Sequence, residues 1–170
     1  MSKELPKRKH PRLKEYDYSS VGAYFITICV EDMRKILGEV VGGGVLDAPN
    51  IQLFKYGEIV EKHLLAINNH YKDLDIEKYV IMPNHIHILI SIRIIQESGA
   101  SGTPPPTRAN ALIPRLISTL KRFVHKECGF QLLQRDYHDH IIRDENDYLI
   151  HLQYIENNPT KWAYDRYYVE

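Results

Sequence analysis

Cysteine is nearly absent. Only Cys29 and Cys128 occur in 170 residues, which excludes a disulfide-built scaffold and leads us to expect a reducing, intracellular compartment. Net charge is absent too: 22 basic residues balance 22 acidic ones. A nucleic-acid function must therefore rest on local patches. No apolar run approaches the roughly 18 residues of a membrane span. The basic N-terminus lacks the apolar segment and small-residue cleavage site of a signal peptide. The length is too small for a barrel of about 250 residues, and it suits one domain with a real core.

What is present is organised as follows. Residues 1–15 form a basic N-terminal arm, with Lys3, Lys7, Arg8, Lys9, Arg12 and Lys14 against Glu4 and Glu15. It reads either as a solubilising terminus or as a phosphate-contacting arm. Residues 16–170 are expected to be a single domain. Ala23–Val30, aromatic and β-branched, predicts a buried strand. A second strand is expected near Gly38–Val41, then a reversal at Gly42-Gly43-Gly44 into Val45 and Leu46, and another short strand around Ile51–Phe54. The triple glycine is no phosphate loop, because no Lys-Ser/Thr follows it.

Ile59, His63, Ala66, Ile67 and His70 recur at helical spacing and predict a helix over residues 56–71. Ile76–Met82 and Ile86–Ile92 predict two strands joined near Pro83-Asn84. Residues 96–107, rich in Ser, Gly and Pro, read as a flexible loop. A second helix over Ala109–Cys128, ended by Gly129, carries Arg115, Lys121, Arg122 and Lys126 with no acid before Glu127. That charge suits either a solvated face or a nucleic-acid surface. The stretch 130–142 is short and polar. A third helix, capped by Asp144 or Asn146, is expected over Asp147–Asn157, stopping before Pro159.

Two groups of residues can carry chemistry. On a strand, His85 and His87 share a face while Ile86 enters the opposite layer. Their Cα atoms would lie about 6.5 Å apart, so both imidazoles can reach one cation and leave positions open for oxygen donors. On the third helix, Tyr154 and Asn158 are four residues apart and stacked on one face. A phenol with a reference pKa near 10 is a poor nucleophile unless a cation or base assists it. With twelve tyrosines in the chain, the plain alternative for any one of them is packing.

The segment Tyr79-Val80-Ile81-Met82-Pro83-Asn84-His85-Ile86-His87-Ile88-Leu89-Ile90 closely resembles the His-hydrophobic-His segment of the IS200-like Y1 transposases (HUH superfamily). It looks most like the branch associated with repetitive extragenic palindromes (REP). Lys121-Arg122-Phe123, the run Arg135–Arg143, and Asp147-Tyr148 through Tyr154-Ile155-Glu156-Asn157-Asn158-Pro159 match the other family blocks in order, over roughly residues 16–165.

The resemblance implies an α+β fold, a ferredoxin-like antiparallel sheet with helices packed on one face. It implies that His85, His87 and Asn158 hold a divalent metal, Mg or Mn, and that Tyr154 is the nucleophile; Tyr148, six residues earlier, would face elsewhere on the helix. Lys121, Arg122, Arg115, Arg143, His140 and Arg135 become candidate DNA contacts, with His140 equally readable as a packing anchor. The implied activity is cleavage and strand transfer of single-stranded hairpin DNA through a 5′-phosphotyrosine, leaving a free 3′-OH and needing neither ATP nor water. The family contains dimers that exchange tyrosines and monomers that act in cis, so monomer and homodimer both stay open. A cytoplasmic, nucleoid-associated location follows from the DNA partner. The competing readings are a hairpin DNA-binding protein without catalysis and a metal-dependent phosphodiester hydrolase that uses water.

Overall fold

The computed structural model describes residues 21–43, 48–93 and 111–169. The basic arm at 1–15, the residues Gly44 to Leu46 and the loop at 96–107 lie outside the described residues. Four antiparallel strands form the main sheet: β1 (Gly22–Cys29), β4 (Leu74–Ile81), β5 (His85–Ile92) and β6 (His138–Ile141), in the spatial order β4-β5-β1-β6. A two-stranded ribbon, β2 (Gly38–Val41) with β3 (Asn50–Leu53), precedes helix α1 (Lys55–His70). Helix α2 (Leu112–Cys128) lies in the chain between β5 and β6, and α3 (Glu145–Asn157) follows β6.

The strand alternation sorts the sheet into two unlike faces. Tyr24, Ile26 and Ile28 of β1 join Ile86, Ile88, Ile90 and Ile92 of β5 in the main core, against Val60, Leu64 and Ile67 of α1 and Ile113, Leu116, Leu120 and Val124 of α2. Each such side chain contributes roughly 1.5–3 kcal/mol on burial. A one-residue slip of β5 would drive His85 and His87 into this layer and its isoleucines out of it. The apolar face therefore fixes where the histidines point. Opposite them, Phe25 and Leu89 pack with Ile155 and Leu152 of α3 in a second, smaller cluster.

The α+β class with an antiparallel sheet and packed helices is therefore observed. The expectation that the helices occupy one face needs correction. Helices α1 and α2 cover the isoleucine face, while α3 covers the histidine face, because Ile155 needs the Phe25–Leu89 patch for burial.

Local signals set the boundaries. Asp144 caps α3, its carboxylate accepting the Asp147 N–H at 2.9 Å. Gly129 ends α2 at φ 80°, a left-handed conformation in which glycine carries no Cβ penalty. Three elements were not legible in the sequence. A 3₁₀ turn, Glu31–Met33, follows β1, strand β6 falls in the stretch read as polar, and a second 3₁₀ turn, Trp162–Tyr164, follows α3. No helix among the described residues is long and apolar enough to cross a membrane.

Candidate metal and tyrosine site

His85 and His87 are almost fully buried at 0% and 1% exposure, and their Nε2 atoms face each other at 2.9 Å. Their other nitrogens are held from outside. Asn84 donates its amide N–H groups to the carbonyls of Tyr167 (2.8 Å) and Met33 (3.4 Å), which turns Asn84 Oδ1 toward His85 Nδ1 at 2.8 Å. An amide oxygen only accepts, so His85 Nδ1 carries the proton and its Nε2 presents a lone pair. His87 Nδ1 pairs with Thr27 Oγ1 at 2.8 Å. With its proton there, His87 also turns a lone pair inward. Burial pushes His85 down to about 4, with the Asp165 charge opposing, and burial followed by the His85 charge lowers His87. Both are neutral at pH 7, the form that binds a cation.

The other half of the site comes from α3 and the segment after it. Tyr154 Oη donates to Asp165 Oδ2 at 2.9 Å, and Asn158 Nδ2 donates to the same oxygen at 2.8 Å. Asn158 is 2% exposed, yet its Oδ1 is buried with no hydrogen-bond partner. Leaving a buried acceptor unpaired costs about 1–3 kcal/mol. Two converging imidazole lone pairs, with an orphaned amide oxygen on the residue that shares Asp165 with Tyr154, are a donor set that fits a divalent cation. Asp165 belongs to the same cluster, its carboxylate lying within 4.8 Å of the His85 and His87 nitrogens. Burial, then the Asp165 hydrogen bond and charge, push the Tyr154 phenol above its ordinary pKa.

Aromatic rings wall the site. Phe25 stacks on His87 at 5.0 Å, Tyr167 lies 4.7 Å from His85, and the Tyr154 ring meets His87 edge-on at 5.1 Å. A cleft of about 470 Å³ opens here, lined by His87, Tyr154, Tyr167, His140, His151 and Arg166 among others.

The residues named from sequence thus divide. His85, His87, Tyr154 and Asn158 come together, and His140 lines the same cleft. Arg143 is exposed at the start of α3. Arg115 and Arg122 line a separate groove between α1 and α2, in the layer on the other side of the sheet. Lys121 is occupied in part as a brace, donating to the carbonyls of Arg135 (2.9 Å) and Asp136 (3.3 Å), while the Arg135 side chain is exposed. Tyr148 is directed away, donating to Glu77 on β4 at 2.5 Å. Asp165, Thr27, Asn84, Tyr167 and Arg166 were missed. Asp165 is separated from His85 by 80 positions and from Asn158 by the turn at Pro159, so no spacing rule marks it.

No protein-family model matches the chain. An uncharacterized protein of Haemophilus influenzae is 35% identical, over 96% of this chain and 94% of its own length. A second protein of that organism, described as a REP-associated tyrosine transposase, is 26% identical over 87% of this chain and 76% of its own. Among solved structures, a REP-associated tyrosine transposase bound to a REP hairpin has the same fold, with a TM-score of 0.62 at 18% identity, covering 91% of this chain and 76% of that one. The chain thus joins paired histidines, a helical tyrosine and an amide in one site, and it matches REP-associated tyrosine transposases of the IS200-like Y1 (HUH) type in both sequence and fold.

Proposed function

We propose that the chain is a divalent-metal-dependent single-stranded DNA endonuclease and strand transferase that acts on hairpin DNA through a 5′-phosphotyrosine at Tyr154. The observation that carries this reading is the meeting of Tyr154, Asn158 and Asp165 with the His85–His87 pair in one cluster. His85, His87 and Asn158 would hold Mg or Mn, with Asp165 within reach. When bound, the cation supplies charge stabilisation on the oxygens of the scissile phosphate. Asp165 holds the Tyr154 hydroxyl and is placed to accept its proton as the phenol oxygen attacks phosphorus. The P–O3′ bond breaks and the 3′-oxygen leaves, taking a proton from solvent to become a free hydroxyl. Attack by a DNA 3′-OH on the phosphotyrosine reverses the step and returns the phenol.

Several finer features follow from the same reading. The order β1-α1-β4-β5-α2-β6 with the sheet order β4-β5-β1-β6 supports a ferredoxin-like scaffold, in keeping with the sequence division into a basic arm at 1–15 and a single domain at 16–170. Tyr154 reaches the histidines of its own chain, which favours a monomer acting in cis. Single-stranded DNA enters the cleft beside His140 and Arg143, while Arg115, Arg122 and Arg135 contact phosphates outside it. A cytoplasmic, nucleoid-associated location fits this partner.

The test is incubation of labelled single-stranded hairpin DNA, taken from palindromes flanking the gene, with Mn or Mg. A covalent protein–DNA band on a denaturing gel, mapped to Tyr154 and lost in Tyr154→Phe, is the expected result. Cleavage without an adduct would replace this reading with the water-using hydrolase. Tight hairpin binding without cleavage across several targets would replace it with a binding protein.

A further inference from the structure

One turn before Tyr154 on α3, His151 belongs to a second cluster with His140 of β6 and Asp147. Asp147 Oδ2 accepts from His140 Nε2 at 2.9 Å and from the Arg143 N–H at 3.0 Å. His151 Nδ1 lies 2.8 Å from the Asp147 carbonyl and 3.1 Å from Asp147 Oδ1. A carbonyl oxygen cannot donate, so His151 Nδ1 carries its proton and has no lone pair to offer a cation. That argues against a cation held between His151 Nδ1 and the Asp147 carboxylate, although three donor-type atoms are close together. The carboxylate is satisfied by N–H groups on every side, and the His140 hydrogen bond, as the largest cause, holds the Asp147 carboxyl below the usual range.

The outer nitrogens are what remain. His140 Nδ1 and His151 Nε2 have no protein hydrogen bond among the described residues. Both rings line the cleft that holds Tyr154, stacked on each other at 4.5 Å and 21°. Phe25 lies against His151 at 4.7 Å and separates the pair from His87. We propose that His140 and His151 form a phosphate clamp, each imidazole held by Asp147 through its inner N–H and donating an outer N–H to a DNA phosphate beside the one that Tyr154 attacks. The proposal rests on the DNA-nicking reading and deepens it, by naming the groups that hold the strand next to the scissile bond.

The clamp takes its charge from solvent. A phosphate facing the outer nitrogens favours the protonated rings, so binding of the strand and uptake of protons reinforce each other. Asp147 offsets the repulsion between two stacked imidazoliums. The other charged or titratable groups facing the pair across the cleft are His138 and Asp139 of β6, His87 of β5, Tyr154 of α3, and Arg166 and Tyr167 beyond α3. Arg166 adds a permanent positive charge and sets a floor of affinity at high pH.

The experiment is fluorescence anisotropy of a labelled oligothymidylate with the full chain in EDTA, at pH 6 and pH 8. Wild type should bind about tenfold more tightly at pH 6. His140→Gln/His151→Gln should lose most of that difference, and His140→Arg, which keeps a charge at every pH, should recover affinity at pH 8. A pH difference that persists in the folded double variant, or that wild type lacks, overturns the clamp. Should the double variant fail to fold, the more exposed His140 carries the test alone, since unchanged affinity and pH dependence in both His140→Gln and His140→Arg overturn it equally. Adduct formation on hairpin DNA with Mn separates the two readings. An adduct without the pH difference removes the clamp only, and a His-dependent pH difference without an adduct removes the nicking reading and leaves a phosphate-binding cleft.

Discussion

Asp165 engages two groups at once, the Tyr154 hydroxyl and the Asn158 amide, through one carboxylate oxygen. Its charge disfavours the phenolate, yet the same oxygen is the nearest acceptor for the phenol proton. Asp165→Asn should therefore let Tyr154 ionise at lower pH, seen in difference absorbance against the same variant carrying Tyr154→Phe, while slowing adduct formation at pH 7 by about 10²-fold. Adduct formation as fast as in wild type would remove Asp165 as proton acceptor. The orphaned Asn158 Oδ1 makes a second residue-scale prediction. Mn at about 100 times its dissociation constant should stabilise wild type by roughly 2.7 kcal/mol. The rise in melting temperature should vanish in Asn158→Leu and in His85→Gln/His87→Gln.

At the scale of elements, α3 carries Tyr154 and is capped at its start by Asp144. Asp144→Ala removes the acceptor for the Asp147 N–H and should cost about 1 kcal/mol in urea unfolding. Helix α1 is held close to the chain before β2. A Cβ at Gly57 would collide with the backbone carbonyl of Leu37, and that carbonyl already accepts the Phe54 N–H at 2.8 Å. Gly57→Ala should therefore destabilise by about 2 kcal/mol or more, measured by the same unfolding. Strand β6 shows why some elements escaped the sequence reading. His138, Asp139 and His140 offer no apolar alternation, because β6 is an edge strand on which these three line the cleft and only Ile141 packs against the core. Its pairing with β1, set by long-range contact, makes it a strand.

For the whole molecule, the buried histidine pair sets the acid limit. The folded pKa of His85, about 4, lies below the unfolded value near 6.5. Between those values the unfolded chain binds more protons, so stability falls as pH drops from about 6.5 toward about 4. Urea midpoints in EDTA at pH 7 and pH 4.5 should differ by an amount that His85→Gln/His87→Gln reduces. Equal midpoints in wild type would contradict a neutral pair.

Much of this architecture was written in local pattern. The aromatic and β-branched run of β1, the helical spacing in α1, the glycine that ends α2 and the fixed offsets His85–His87 and Tyr154–Asn158 are local features, which a short window of the chain displays. The sequence by itself therefore determined the main elements and the direction in which the histidines point relative to their isoleucine neighbours, and it named His85, His87, Tyr154 and Asn158 as candidates. Tertiary structure alone decided which layer each helix covers, so that Arg115 and Arg122 lie across the sheet from Tyr154, and Lys121 braces a loop. It also decided that the segment beyond Pro159 folds back to bring Asp165 to His85. These are long-range choices, made by which apolar faces bury one another, and no spacing along the chain encodes them.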